Sequence, residues 1–199
     1  MQPRRLAIGK RLCIISGGAV AEEGRLAVIV EAGAFGSGEH VTTATCLELL
    51  EDLPALAGGS VLDVGCGTGI LGLAALRLGA RRALLLDLDP AAAATAARNC
   101  ARNGLAGRAT VVAGDLAALG ESRHAVILAN LHGDVLRVAS EALVRRAEPG
   151  GWLVLSGILW EDDWAVRDAY TRLGCQLRRH LMRDEYSTLL FQVGVRHRR

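Results

Sequence analysis

The sequence predicts one doubly wound α/β domain built on a mostly parallel sheet, and three observations carry that reading. From Ser60 onward, short apolar runs alternate with helical patterns, as parallel strands joined by crossover helices do. A glycine-rich turn, Gly65-Cys66-Gly67-Thr68-Gly69, separates the first of these runs from its helix. Asp87 closes the next apolar run, twenty-two residues beyond Gly65.

The elements follow in order. Ser60–Val64 reads as a buried strand and Ile70–Leu78 as its helix, stopped by Gly79 where a left-handed residue is wanted. Ala83–Leu86 is the second strand. Asp89 then caps a helix with Pro90 at its first position, where a missing N–H costs nothing, and the helix runs to Asn103-Gly104. Thr110–Val112 and Ala125–Leu128 are the third and fourth strands. Val135, Leu136, Ala139, Ala142 and Leu143 share one face of a single amphipathic helix. Arg145 and Arg146 sit at its carboxyl end, where cations suit the helix dipole. Pro149-Gly150-Gly151 turns into a fifth strand, Trp152–Leu155. Asp162 or Asp163 starts a helix that ends near Gly174. Gln176–Met182 and Ser187–Val193 then stand at hairpin spacing, which adds one antiparallel strand. Such a sheet holds its ligand at the strands' carboxyl ends, near the topological switch.

Composition narrows the class. At 199 residues the chain has the size of one domain, with 51% hydrophobic and 22% charged residues, a folding composition. A net charge of +2, from 23 basic and 21 acidic residues, gives no broad footprint for nucleic acid. The basic end Arg196-His197-Arg198-Arg199 reads as a solvated tail. Five cysteines, an odd number without C-x-x-C spacing, argue against a zinc site or disulfide framework and for a reducing cytosol. The run Leu12-Cys13-Ile14-Ile15 is too short for a signal peptide and is broken by Gly17-Gly18. No stretch approaches the roughly 18 apolar residues that span a bilayer.

Glycines at a strand end let the backbone approach a ligand with no side chain in the way. Asp87 can accept both hydroxyls of a ribose, so turn and acid together indicate a nucleoside-containing ligand. Two cofactor classes fit. Gly67-x-Gly69-x-x-Gly72 with Asp87 satisfies the dinucleotide fingerprint. S-adenosylmethionine has no phosphate and suits a loop that begins at the strand end, as Gly65 does. Spacing alone does not separate them.

Other segments carry candidate chemistry. Ala34-Phe35-Gly36-Ser37-Gly38-Glu39-His40-Val41-Thr42-Thr43 is a second glycine-rich segment, running into a helix that ends before Pro54. It can fold over the cofactor as a partial lid with Thr43 as a polar contact, or cap the helix through Thr42 or Thr43. His40 alone reads as a surface or capping histidine. Asp115 is either an acceptor for an adenine amine or a turn residue after Gly114. Asn130 ends the fourth strand, where its amide can orient an N–H nucleophile or satisfy the following turn. His132 and Asp134 can line an acceptor pocket, although Asp134 reads rather as a helix-start residue.

Taken together, AFGSGEHVTT, VLDVGCGTGILGLAALRLGA, LDLDP, ANL and EPGGWLVLSGIL closely resemble the bacterial ribosomal protein L-eleven methyltransferase family, from about Ile8 to Val193. The first loop and the ANL and SGIL segments are the more specific parts. The resemblance implies a Rossmann-like class I methyltransferase sheet of seven strands, the last antiparallel, with S-adenosylmethionine as cofactor. It implies methyl transfer to lysine ε-amines and the N-terminal α-amine of a ribosomal protein. By position, Thr43, Gly65, Asp87 and Asn130 match the family's cofactor-contacting residues. The same segments add Phe35, Gly36, Cys66, Gly67 and Leu88 to the expected cofactor set, and Asp115 joins it from its place after the third strand. Asn130 and the backbone carbonyl of Leu131 are the expected catalytic groups, with no dedicated general base and no metal.

The chain departs from the family pattern in places. Glu31-Ala32 replaces an Asp-Pro pair, Ser37 replaces a threonine, and His132-Gly133 follows the Asn-Leu pair. Family members carry an N-terminal substrate-recognition domain. The expectation here is a single methyltransferase domain over residues 1–199, with 1–30 resembling the family's linker and no recognition domain. The acceptor is then an amine of a protein such as the ribosomal one, of another protein, or of a small molecule. A non-catalytic cofactor-binding module is the remaining reading. No membrane or nucleic-acid partner is expected.

Overall fold

The computed structural model describes residues 3–31 and 38–195. A small sheet comes first: β1 (Arg4–Ile8) and β2 (Leu12–Ser16) form an antiparallel hairpin, and β3 (Leu26–Ile29) pairs parallel with β2. The sequence reading identified no element here. The reason is physical, because β2 is buried along its whole length and offers no alternation to read.

Then α1 (Val41–Glu51) leads to the expected succession. It runs β4 (Ser60–Val64), α2 (Ile70–Arg77), β5 (Arg82–Asp87), α3 (Pro90–Arg102), β6 (Ala109–Ala113) and β7 (His124–Asn130). After β7 come α4 (Gly133–Val138), α5 (Ser140–Arg146), β8 (Ala147–Leu159), α6 (Asp163–Arg172), β9 (Cys175–Arg183) and β10 (Tyr186–Val193). The large sheet has the order β6-β5-β4-β7-β8-β10-β9. Strands β4 to β8 pair in parallel, and β10 runs antiparallel to both β8 and β9, so the last strand is the reversed one.

Alternation along the strands decides which helices cover which face. Val61, Val126, Leu128 and Val154 pack with Leu47 and Leu50 of α1, Leu73 of α2 and Ala96 of α3. Their neighbours Leu62, Ile127, Ala129, Leu153 and Leu155 pack with Leu136 of α4, Leu143 of α5 and Val166 and Tyr170 of α6. The small sheet joins the first of these cores through Leu12, Ile14 and Val28. No helix among the described residues is long and apolar enough to cross a membrane.

Two expectations are corrected. The single helix through Val135–Leu143 is two helices joined at Ala139, and Val135 is 45% exposed. The Tyr170 hydroxyl donates to the Leu136 carbonyl at 2.9 Å, the acceptor that the Ser140 N–H would use in a continuous helix. The fifth strand is also longer than Trp152–Leu155. It spans Ala147–Leu159, with a register shift against β7 that absorbs Pro149-Gly150-Gly151.

Two buried amides fasten the small sheet and the glycine loop to α3. Asn99 donates to the Thr68 carbonyl at 2.9 Å and accepts from the Glu31 N–H at 3.1 Å. Asn103 accepts from the Ile29 N–H at 2.9 Å and donates to the Ile29 carbonyl at 2.7 Å. Replacing Asn99 removes the amide that donates to the Thr68 carbonyl and accepts from the Glu31 N–H. Asn99→Ala is therefore expected to lower stability by about 1–3 kcal/mol, read as a shift of the urea midpoint at unchanged slope.

Candidate active site

The carboxyl ends of β4 and β7 lie side by side, with Val64 opposite Ala129. The chain leaves β4 towards β5 and β6 on one side and returns at β7 on the other. This is the topological switch, where crossovers diverge and leave a crevice. A cavity of about 390 Å³ lies there, a size suited to a small-molecule ligand. Of the residues singled out from sequence, Thr43, Gly65, Cys66, Gly67, Asn130, Leu131, His40 and His132 line it.

The glycine loop is shaped by its neighbours. Gly65 has φ +67°, and a side chain there would run into the Leu131 side chain, so only glycine lets Leu131 close over the loop. The Cys66 N–H donates to the Leu86 carbonyl at 3.0 Å, and the Gly67 N–H donates to Asp87 Oδ2 at 2.7 Å. Asp87 Oδ1 accepts from the Asp89 N–H at 3.0 Å. Each carboxylate oxygen keeps a lone pair for a further donor.

Asp87 does not line the cavity itself but stands beside it, joined through Gly67. Leu88, 72% exposed, follows it on the open edge. Asp115 lies next to them, because Gly114 donates to the Asp87 carbonyl at 2.8 Å. Its Oδ1 caps the turn at Leu116–Ala118, accepting from the Ala117 N–H at 2.6 Å. The sequence-derived set thus falls into a cavity group and an edge group that meet at Gly67. Phe35 and Gly36, with Ala34 and Ser37 of the expected lid, lie outside the described residues.

Asn130 is oriented by a directed chain of hydrogen bonds. His40 is the N-cap of α1, and its Nδ1 accepts from the Thr42 N–H. An Nδ1 that accepts there is unprotonated, so the Thr42 hydroxyl, 2.8 Å away, donates to it. That leaves the Thr42 oxygen to accept from Asn130 Nδ2 at 3.2 Å, and Thr43 Oγ1 lies 3.3 Å from the same nitrogen. The amide NH2 is thereby committed and Oδ1 is turned the other way, towards Gly157. Gly157 has φ +80°, and a Cβ there would lie 2.7 Å from the Leu131 carbonyl oxygen and 2.9 Å from Asn130 Oδ1. Two acceptor oxygens converge on a face that only glycine leaves bare.

Among the lining residues that sequence reasoning did not single out are Asp63, Gly157 and Tyr186. Asp63 is 1% exposed and accepts from the Gly72 N–H at 2.9 Å. Burial pushes its carboxyl up to about 7, opposed by that hydrogen bond, with the Asp87 charge adding to the rise. An acid inside the apolar run SVLDV was the available signal. Tyr186, set edge-on to His40 at 5.0 Å, arrives because β10 folds back against β8, and Gly157 because β8 pairs with β7 beside Asn130. Tyr186 has no local sequence signature, whereas Gly157 lies in the SGIL segment.

Comparison with known proteins places the geometry. A model of the ribosomal protein L11 methyltransferase (PrmA) family matches residues 2–193. A ribosomal protein L11 methyltransferase of Geobacter metallireducens is 44% identical over 175 residues, 87% of this chain and 56% of that protein. The chain spans between about half and just under two thirds of the length of the curated relatives it matches. Among solved structures, a ribosomal protein L11 methylase from Lactobacillus delbrueckii subsp. bulgaricus superposes with a TM-score of 0.83 at 22% identity, covering 96% of this chain and 97% of that one. An RNA methyltransferase from Salinibacter ruber, in complex with S-adenosyl-L-homocysteine, gives 0.61 at 18% identity, covering 75% and 91%. At such identities the likeness concerns the fold, which is that of the class I methyltransferases.

The Asp63 carboxyl generates a pH prediction. Its folded value of about 7 exceeds its unfolded value of 3.8. Its favourable contribution is then complete below about pH 4 and lost as pH rises towards 7. Asp63→Asn is expected to melt several degrees above the parent near pH 8, and the gap is expected to close near pH 4. Parallel melting curves across that range would show that the carboxyl does not carry the dependence.

Proposed function

This chain belongs to the ribosomal protein L11 methyltransferase family, and we propose that it transfers methyl groups from S-adenosylmethionine to amines of a protein, ribosomal protein L11 being the first candidate. The observation that carries this reading is the pair of acceptor oxygens, Asn130 Oδ1 and the Leu131 carbonyl, converging beside Gly157 in the cavity. A cytoplasmic setting fits five buried, free cysteines. We take the described residues as one catalytic unit, since the small sheet shares a core with α1 and α2.

The residues present fit the cofactor. Asp63 is the carboxyl in the cavity lining and supplies a counter-charge for a cation, whether an α-ammonium or a sulfonium. Asp87 retains acceptor capacity for the ribose hydroxyls. Leu88 offers an apolar surface for a base, and the uncommitted Oδ2 of Asp115 can accept from an adenine amine. Thr43, Gly65, Cys66 and Gly67 line the space between. When bound, S-adenosylmethionine supplies an electrophilic methyl group on a positively charged sulfur.

The protein's task is to present a neutral amine in line with that methyl. A lysine amine titrates near 10.4, so only about one in a few thousand is neutral at pH 7. Asn130 and Leu131 accept the two N–H bonds of the neutral amine, and the remaining lone pair points to the carbon. Both acceptors are uncharged, so they do not hold the ammonium form as a carboxylate would. Asn130 and Leu131 would hold the nitrogen in line while it takes up the methyl, a transfer that would leave a neutral thioether, and the alkylated nitrogen would then give its proton to water. Positioning supplies the rate.

Asn130→Ala is expected to lower kcat by about a hundredfold while the cofactor Kd stays within about twofold. Asp87→Ala is expected to weaken cofactor binding by about 10–100-fold in calorimetry, the loss of a charge-assisted acceptor pair. Radiolabelled cofactor offered with ribosomal protein L11 or with cell-extract metabolites tests the acceptor. Label on metabolites alone would overturn the protein-directed reading.

A further inference from the structure

The surface around the cavity mouth is built of bare tryptophan and unpaired carboxylate. Trp160 and Trp164 stand four residues apart across the turn into α6 and are 65% and 67% exposed. Val138, on the neighbouring α4, is 80% exposed. Tryptophan is on average well covered in folded chains, and adjoining exposed apolar groups mark interaction surfaces.

This surface is continuous with the cavity. Gly157 and Tyr186 line the cavity, Tyr186 pairs with Leu159, and the Trp160 N–H donates to the Glu185 carbonyl at 3.0 Å. On the other side, Asp162 packs on Gly133, where a Cβ would lie 2.6 Å from the Asp162 Cβ, next to His132 of the cavity wall.

Its carboxylates are in large part unpaired. Glu161, Asp162, Asp184 and Glu185 flank the tryptophans, and none forms an ion pair among the described residues. The arginines close by are taken by other acids. Arg167 pairs with Asp163 at 2.7 Å, Arg172 with Asp168 at 2.9 Å, and Arg183 with Glu48 at 2.6 Å. Arg137 of α4 is a further basic residue on this side. Carboxylates left unpaired around exposed aromatic faces complement a cation on an alkyl stem, through charge and through cation–π contact.

We propose that this face docks the part of the acceptor polypeptide that surrounds the methylated amine, an extended lysine-rich segment. Its alkyl stems lie on Trp160 and Trp164, and its ammonium groups face Glu161, Asp162, Asp184 and Glu185. The proposal rests on the reading of the cavity as an amine-methylating site and adds what selects the polypeptide. The same carboxylates repel a nucleic-acid backbone.

The test uses a fluorescein-labelled ten-residue peptide rich in lysine, with a glutamate-rich peptide of equal length as control. Anisotropy is expected to report binding of the lysine peptide alone, weakening steeply as salt is raised. The double substitution Trp160→Ala/Trp164→Ala and the double reversal Glu161→Lys/Glu185→Lys are each expected to raise its Kd at least about tenfold, with melting temperature and cofactor Kd unchanged. Methyl transfer is followed in the same samples. Binding lost in the variants with no transfer by the parent would support the docking face and sink the methylating reading. Equal binding by parent and variants would overturn the docking face, whatever the transfer. So would a parent that sediments as a dimer while the tryptophan variant is monomeric, since a second copy would then own the surface.

Discussion

The pairing of β4 with β7 is the constraint on which the site depends. These strands are separated in sequence by two helices and two strands, yet Val64 and Ala129 lie in register. The pairing puts the glycine loop and Asn130 at one level, on opposite sides of a crevice that neither could form alone. It is held from within by alternating apolar residues, Val61 and Val126 to one face, Leu62 and Ile127 to the other. A slip of one residue would exchange the faces, so the hydrophobic pattern that builds the core also fixes the height of the catalytic groups.

On that platform, hydrogen-bond direction sets chemistry. His40 caps α1, an ordinary structural task, and in accepting the Thr42 N–H it leaves only one way to orient the Thr42 hydroxyl. The orientation passes to Asn130 and frees its oxygen. A capping residue and an orienting residue are thus parts of one network, His40 as the cap and Thr42 as the link to Asn130. The reading of Thr42 or Thr43 as the cap itself fails, since His40 holds that position.

Burial divides the acids by task. Asp63 is enclosed at the base of the cavity and is pushed towards neutrality, ready to ionise against a cation. Asp87 stays half-buried and holds two backbone N–H groups. Of the acids around Trp160, all without an ion pair among the described residues, Glu161, Asp184 and Glu185 are exposed and Asp162 is half-buried against Gly133. Similar side chains differ in role through enclosure and hydrogen bonding alone.

By itself the sequence determined what near neighbours decide. Asp89 with Pro90 starts α3, Gly65 permits the tight loop, and the apolar periods mark β4 to β8, because caps, turns and alternation are local. It also exposed the cofactor loop and Asn130, since each closes a strand. Only the tertiary structure decided what meets what. Asn130 bonds Thr42 across 88 residues, Tyr170 reaches the Leu136 carbonyl beside the join of α4 and α5, and Tyr186 reaches the cavity through an antiparallel return. Such contacts follow from strand order and from competition for buried hydrogen-bonding groups, and these exist only once the chain has closed on itself.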